Sequence, residues 1–355
     1  MSGRILHVCN TDKFIPGFIR FVQHHFDARR HHFWLMGDHT RYPVADGPGI
    51  DPDRAVIDRV HNSAAGHLVG YLRLIALAQR CEKIILHGLS RKKLEKLLWA
   101  MPWVLPKCYW IIWGSDLYAY RKKDESAARK RREFFRRPVI RRMGHLVTFL
   151  EGDVALARQW YGARGRYHEC LVYPSNLFEP TPPAIAASGT CHLLLGNSAD
   201  PANCHFELLE RLAPFAGEDL RLYVPLSYGS ATHAERVIEQ GRALFGEKFI
   251  PLTEFMPLAQ YAALLHRMDI AIFGHHRQQA MGNAIKLLGM GKKVYLRQGV
   301  AQRHLFESLG IVCFDIDNFS TARLDPTVAA RHHDIIASWF SERKLKAQLE
   351  RVFDH

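Results

Sequence analysis

Two stretches carry side chains suited to chemistry on a phosphorylated substrate. In the first, the apolar run Asp269-Ile270-Ala271-Ile272-Phe273 ends at Gly274 and releases His275, His276, Arg277, Gln278 and Gln279 before a helical pattern opens around Ala280-Met281-Gly282-Asn283. An arginine can grip phosphate through two charge-assisted hydrogen bonds, and a helix start adds unpaired backbone N–H donors. In the second, Leu193-Leu194-Leu195 runs into Gly196-Asn197-Ser198, where a glycine permits close approach and backbone N–H groups can hold a phosphate. Val224-Pro225-Leu226-Ser227-Tyr228-Gly229-Ser230 is a third strand end, with an aromatic that could line a nucleotide. Each stretch is also compatible with an ordinary solvated turn.

A general base for a hydroxyl nucleophile needs a carboxylate or imidazole at a strand end. Asp116, in Trp113-Gly114-Ser115-Asp116-Leu117-Tyr118, is the first candidate, then Asp12 and His87. For Asp116 a helix N-cap is an equal alternative, and a histidine after a strand is often a satisfied structural residue. No DxD carboxylate pair stands out. Cys204-His205 has no second pair at zinc spacing, and His275-His276 has no accompanying acid, so no metal site is expected.

Short apolar segments and helical patterns alternate along the whole chain, placing these residues at strand ends. Strands are expected at 5–9, 33–36, 84–86, 108–113 and 146–150, and again at 191–195, 220–226, 248–250, 269–273, 293–296 and 311–314. A loop is expected at 41–56 and one long final helix over 327–352. Such alternation is the mark of parallel sheets covered on both faces, in which ligands sit beyond the carboxyl ends of strands. The proline-rich stretch 176–189 reads as a linker between an N-terminal Rossmann-like domain, 1–175, and a C-terminal one, 190–325. The remaining 326–355 forms a terminal helix that can return to the first domain. The fold class is thus α/β, with two Rossmann-like domains.

At 355 residues and 48% hydrophobic composition the chain can fill two cores. Its seven cysteines form no CxxC pair, as in a reducing compartment. No segment reaches the roughly 18 apolar residues of a membrane span, and the opening residues do not read as a signal peptide. The net charge of +13 calls for an anionic partner. Most of it comes from 121–142, RKKDESAARKRREFFRRPVIRR, which reads as an anionic membrane surface contact. Solvation without a partner and nucleic-acid binding through Phe134 and Phe135 are the competing readings, the last disfavoured because no nucleic-acid module accompanies the run.

The combined landmarks resemble the TDP-N-acetylfucosamine:lipid II N-acetylfucosaminyltransferases of enterobacterial common antigen synthesis, the 4-alpha-L-fucosyltransferase family. They are Leu6-His7-Val8 with Asp12, His87-Gly88, Ile112 to Tyr118, Gly196-Asn197-Ser198 with His205, Val224-Pro225 with Tyr228, Phe255, Tyr261 to Asp269, Arg277-Gln278-Gln279, Gly282 and Gly291. The resemblance implies a GT-B-type glycosyltransferase whose two domains face a central cleft. It implies a nucleoside-diphosphate sugar donor, dTDP-linked, near Gly196, Asn197, Ser198, Tyr228, Arg277, Gln278 and Gln279; His275, His276 and Asn283, on the same strand end and helix start, are further candidates for that contact. It places His7, Asp12, His87 and Asp116 on the acceptor side. The acceptor implied is a polyprenyl-diphosphate-linked saccharide at the cytoplasmic face of the bacterial inner membrane, with the enzyme peripheral, needing no cofactor and binding no nucleic acid. Two positions depart from the pattern. His275-His276 replaces an aromatic and a small residue, and Lys286 stands where an acid commonly meets the ribose. The alternatives are a nucleotide-sugar hydrolase or epimerase, and a non-catalytic basic membrane or nucleic-acid binding protein.

Overall fold

The computed structural model describes residues 3–37, 44, 50–51, 56–59, 64–121, 126–181 and 189–354. Its chain divides into two compact units, Met1–Ser175 with Glu342–His355, and Asn176–Ser341.

In the first unit the elements run β1 (Ile5–Asn10), α1 (Ile15–His25), β2 (His31–Met36), β3 (Val56–Arg59), α2 (Ala64–Arg80), β4 (Lys83–His87), α3 (Lys92–Ala100), β5 (Cys108–Ile111), α4 (Ala127–Arg142), β6 (His145–Thr148), α5 (Glu151–Tyr161) and β7 (Arg166–Glu169). All seven strands are parallel, in the order β3-β2-β1-β4-β5-β6-β7. The order reverses between β1 and β4, which are paired from Ile5↔Lys83 to Cys9↔His87. That reversal opens a crevice at their carboxyl ends. β1, β2, β4 and β5 are buried nearly throughout, as a sheet covered on both faces demands. Trp110 of β5 is fully buried, and a side chain of this kind contributes roughly 1.5–3 kcal/mol by leaving water.

The second unit runs β8 (Cys191–Leu195), α6 (His205–Leu212), β9 (Leu220–Pro225), α7 (Ala231–Phe245), β10 (Phe249–Leu252), α8 (Leu258–Arg267), β11 (Ile270–Phe273), α9 (Met281–Gly289), β12 (Lys293–Leu296), α10 (Ala301–Ser308) and α11 (Pro326–Trp339). Its strands are also parallel, in the order β10-β9-β8-β11-β12, with the reversal between β8 and β11. The two polar turns singled out in the sequence, after β8 and after β11, therefore flank one switch point.

Several expectations are corrected. The single final helix is two, α11 and α12 (Glu342–Asp354), interrupted where Phe340 is buried. α12 belongs to the first unit: Lys83 Nζ donates to Val352 O (3.1 Å) and Phe353 O (2.8 Å), and Leu171 N to Gln348 Oε1 (2.9 Å). The expected strand at 311–314 is one bridge, Tyr295↔Phe314. Strands β3 and β7 were not anticipated. Most of the expected loop at 41–56, and residues 182–188 of the expected linker, lie outside the described residues.

The basic stretch is also less free than its composition suggests. Residues 122–125 lie outside the described part. Within α4, Arg136 is fully buried, donating to Tyr161 Oη (2.8 Å) and to the Asp116 carbonyl. Arg132 grips Glu95 (2.8 Å), Arg129 donates to Tyr120 O (2.6 Å), and Arg137 lies over the Tyr120 ring (5.1 Å). Part of this charge thus holds the helix to its own unit. Trp99 and Trp103 are 42% and 62% exposed.

Candidate functional site

In the first unit, the three candidate bases have different surroundings. Asp116 is buried and accepts from four donors: Leu89 N (2.8 Å) and Trp110 Nε1 (2.8 Å) on Oδ2, Trp113 N (3.1 Å) and Leu117 N (2.9 Å) on Oδ1. An ionised carboxylate offers about four acceptor positions. All are filled, which ties the loops after β4 and β5 together through Asp116.

His87 is buried at the end of β4, and burial depresses its pKa to about 3. It belongs to a chain of rings. Trp113 Nε1 donates to Tyr173 Oη (2.9 Å), which lies 2.7 Å from His87 Nδ1. His87 Nε2 is 3.1 Å from His7 Nδ1, and His7 Nε2 is 2.9 Å from His31 Nδ1. Burial first, then the neighbouring imidazoles, lowers His7 well below its usual range. Neutral rings can satisfy such a chain by sharing one tautomeric direction. The chain braces Trp113 and Tyr173 and keeps His87 from solvent.

Asp12, between β1 and α1, differs from both. It is partly exposed, yet its Oδ1 is buried and without a hydrogen-bond partner among the described residues. A carboxylate oxygen held in this condition is available to a ligand proton. Asn10, the last residue of β1, accepts a hydrogen bond from Arg91, the residue before α3; neither is legible as a site residue in the sequence.

In the second unit the turn after β8 is built around Asn203. Asn203 Nδ2 donates to Ser198 O (3.0 Å) and Asp200 O (2.9 Å), which fixes the amide's orientation. Its Oδ1 then accepts from Asn197 N (2.9 Å) and His275 Nε2 (2.9 Å). Gly196 has φ +69°, and a Cβ there would lie 2.8 Å from Asn203 Oδ1 and 2.9 Å from His205 Nε2. Only glycine fits this turn comfortably.

His275 is consequently not a solvated strand-end residue. It is buried, its pKa is pushed down to about 3 by burial and then by Arg277, and it supports the Gly196 turn from behind. Its Nδ1, and Nε2 of the buried His205, lack partners among the described residues. His276, by contrast, is exposed. Arg277, Gln278 and Gln279 are all partly buried. Gln278 Oε1 and Gln279 Oε1 are buried without partners among the described residues.

Gln279 N donates to Gln302 Oε1 (3.1 Å), and Asn283 Nδ2 to Tyr261 Oη (2.8 Å). Ala280, in the left-handed region at φ 57°, precedes α9 and gives it no side-chain cap, so first-turn N–H groups of α9 are left for a ligand. Tyr228 Oη accepts from Asn197 Nδ2 (3.2 Å), and Ala199 N donates to Tyr228 O (2.8 Å), joining the loops after β8 and β9. Asn203 and Gln302 were missed because nothing in their spacing reveals their partners; only the folded turn does.

One grouping bears on the expectation of no metal. Cys204, Glu207 and His276 bring ligand atoms within 4.8 Å of one another. Glu207, however, already carries Arg297 (2.8 Å) and Arg211 (3.2 Å), and two guanidinium groups on that carboxylate oppose a cation.

Comparison with known proteins agrees with this architecture. Anabaena HepE, solved with UDP and glucose, superposes with a TM-score of 0.68 at 11% identity, over 99% of this chain and 100% of that one. WaaG, a glycosyltransferase involved in lipopolysaccharide biosynthesis, gives 0.61 at 12%, over 99% and 98%. Sucrose-phosphate synthase from Thermosynechococcus elongatus gives 0.64 at 11%, over 99% and 98%. At such identities the likeness speaks for the fold, which is GT-B. The sequence itself matches the family described as 4-alpha-L-fucosyltransferase, glycosyl transferase group 56, over residues 60–332. Two parallel sheets, each with polar turns at its switch point, and a family match running through both units lead to one conclusion: the chain belongs to the 4-alpha-L-fucosyltransferase family and is a glycosyltransferase that uses nucleotide-sugar donors.

Proposed function

We propose that this enzyme moves a deoxy-amino sugar of the N-acetylfucosamine type from a dTDP-linked donor to a polyprenyl-diphosphate-linked saccharide, without a metal, while attached peripherally to the cytoplasmic face of the inner membrane. The observation that carries the donor assignment is the convergence of Arg277, the Gly196 turn and the uncapped start of α9 at the β8/β11 switch point. Together they offer a diphosphate a guanidinium and the first-turn N–H groups of α9, with the glycine at 196 permitting close approach. Tyr228, Asn197, Gln278, Gln279 and Asn283 are assigned to the rest of the donor, and His275 with Asn203 to holding the turn.

In the reaction, an acceptor hydroxyl oxygen attacks the anomeric carbon. The bond from that carbon to the diphosphate oxygen breaks, and the nucleoside diphosphate leaves with the bonding electrons. The hydroxyl proton passes to Asp12, whose unpartnered Oδ1 makes it the preferred base over Asp116 and His87. Negative charge growing on the leaving group is met by Arg277 and α9, which is the task a metal performs in other transferases.

Titration calorimetry with dTDP, UDP and GDP, with and without magnesium, tests the donor assignment. dTDP should bind best, indifferently to magnesium, and Arg277→Ala should weaken it about 10- to 100-fold, the value of a charge-assisted hydrogen bond of roughly 1.5–3 kcal/mol. Unchanged dTDP affinity in a folded Arg277→Ala protein overturns the donor site. Donor consumption that proceeds equally without any lipid-linked acceptor identifies a hydrolase instead.

A further inference from the structure

Helices α3 and α4 of the first unit pack against each other and leave a composite face that no part of the reaction uses. Every exposed charged side chain on the two helices is a lysine or arginine. Their acids are turned inward. Glu95 is 1% exposed and held by Arg132 (2.8 Å). Glu133 lies between Arg136 (3.4 Å) and Arg137 (3.4 Å), with its side chain 14% exposed. A helix pair that hides its carboxylates and displays its cations presents a surface of one sign.

Aromatic side chains stand in the middle of this charge. Trp99 lies 6.0 Å from Phe134 and 5.2 Å from Phe135, ring centre to ring centre, and Phe134 is 63% exposed. Trp103, on the short helical segment after α3, is 62% exposed. Large aromatics left in water cost free energy unless a partner covers them. Beside them a groove between α3 and α4 is lined by Lys92, Lys96, Ala128, Arg131, Arg132 and Phe135, with the neutralised Glu95. Lys96 Nζ sits 5.3 Å from the centre of the Phe135 ring.

We infer that this face docks on an anionic phospholipid bilayer, with a headgroup phosphate in the groove between Lys92, Lys96 and Arg131. Trp99, Trp103 and Phe134 enter the interfacial layer. Cations attract the anionic surface, and amphipathic aromatic rings settle at headgroup depth. The inference rests on the proposed function for the presence of a membrane acceptor. It relocates the contact from the basic stretch as a whole to a surface that includes α3, since Arg129, Arg132 and Arg136 of that stretch are engaged within the protein. Nucleic acid would use the same cations and stack bases on the exposed rings, so the comparison with single-stranded RNA below separates it from a bilayer.

The test is flotation of the full-length protein with phosphatidylcholine vesicles, with and without phosphatidylglycerol. The wild type should bind the phosphatidylglycerol vesicles, lose binding as salt rises, and shift its tryptophan emission to the blue on binding. K96E/R131E, at exposed positions, should lose at least tenfold in partitioning while still being stabilised by dTDP. W99F/W103F should still float and lose most of the emission shift. Equal partitioning into pure phosphatidylcholine, unchanged binding by K96E/R131E, or tighter binding to single-stranded RNA than to vesicles at the same salt overturns the inference. Vesicle binding that persists when no sugar is transferred to a lipid-linked acceptor overturns the proposed function and leaves this surface standing.

Discussion

Replacing Asp116 by asparagine asks whether this carboxylate takes a proton or holds the chain. Four N–H donors converge on it, two per oxygen. An asparagine keeps one acceptor oxygen and turns an NH2 group toward the other two donors. Two buried N–H groups then lose their partner, and each costs roughly 1–3 kcal/mol. The sum is about 2–6 kcal/mol, with about 4 as the central value. For a unit of this size each kcal/mol moves the melting temperature by about 2–4 °C, so the transition of the first unit should fall by about 8–16 °C.

Asp12→Asn changes an oxygen that has no partner to lose. It should melt within about 2 °C of wild type and reduce sugar transfer at least about 100-fold, the contribution of a general base. Differential scanning fluorimetry gives the melting temperatures, and dTDP binding reports on the second unit independently. The reasoning fails if Asp116→Asn melts with the wild type and loses only transfer, for then its carboxylate does chemistry and its four hydrogen bonds are dispensable.

Asn203→Ala should cost roughly 1–3 kcal/mol and raise the donor KM with less effect on kcat, because the Gly196 turn loses its anchor; an unchanged KM argues against that anchor. Gly196→Ala should disable donor binding through the Asn203 and His205 contacts a Cβ would meet, measured by calorimetry. Asp153 is raised to about 7 by burial, against the opposing hydrogen bond from Tyr118 and with a smaller push from Asp116. Because its folded pKa exceeds its unfolded value of 3.8, the stability linked to its proton is complete below about pH 4 and is lost as pH rises through about 7. Asp153→Asn should therefore raise the melting temperature most at pH 8 and progressively less toward pH 5, and a gain independent of pH would contradict the assignment.

The alternation of strand and helix was legible because strands buried on both faces must be apolar almost throughout, as in Ile5-Leu6-His7-Val8-Cys9 or Leu193-Leu194-Leu195. β7, Arg166–Glu169, gave no such signal: among the described residues it is an edge strand paired with β6, and backbone hydrogen bonds rather than side-chain burial make it. Ile311 to Phe314 has the apolar look of a strand, but only Phe314 bridges to β12. The break between α11 and α12 has no glycine or proline to announce it, and it arises where Phe340 is drawn into the core. The polar turns after β8 and β11 could be found from glycines and polar residues at strand ends. Which of their side chains meets a ligand and which supports from behind could not, since His275 and His276 are neighbours in sequence and differ completely in burial. Asp116 is equally compatible in sequence with a cap and a base; the donors from Leu89 and Trp110, distant or unremarkable in sequence, appear only in the folded chain.

The attachment of α12 to the first unit also has a consequence for synthesis. Lys83 finds its carbonyl partners on Val352 and Phe353, Arg30 its partner on Asp354 (2.9 Å), and His31 packs against the Phe353 ring at 4.6 Å. On the ribosome, all of these follow the second unit out of the exit tunnel. The first unit to be translated is thus the last able to complete its packing, and until α12 arrives the buried ammonium of Lys83 and the imidazole of His31 wait uncovered. A ribosome that stalls or terminates within the second unit leaves a nascent chain whose earlier half is unfinished, and that half is the one a chaperone or protease would meet first.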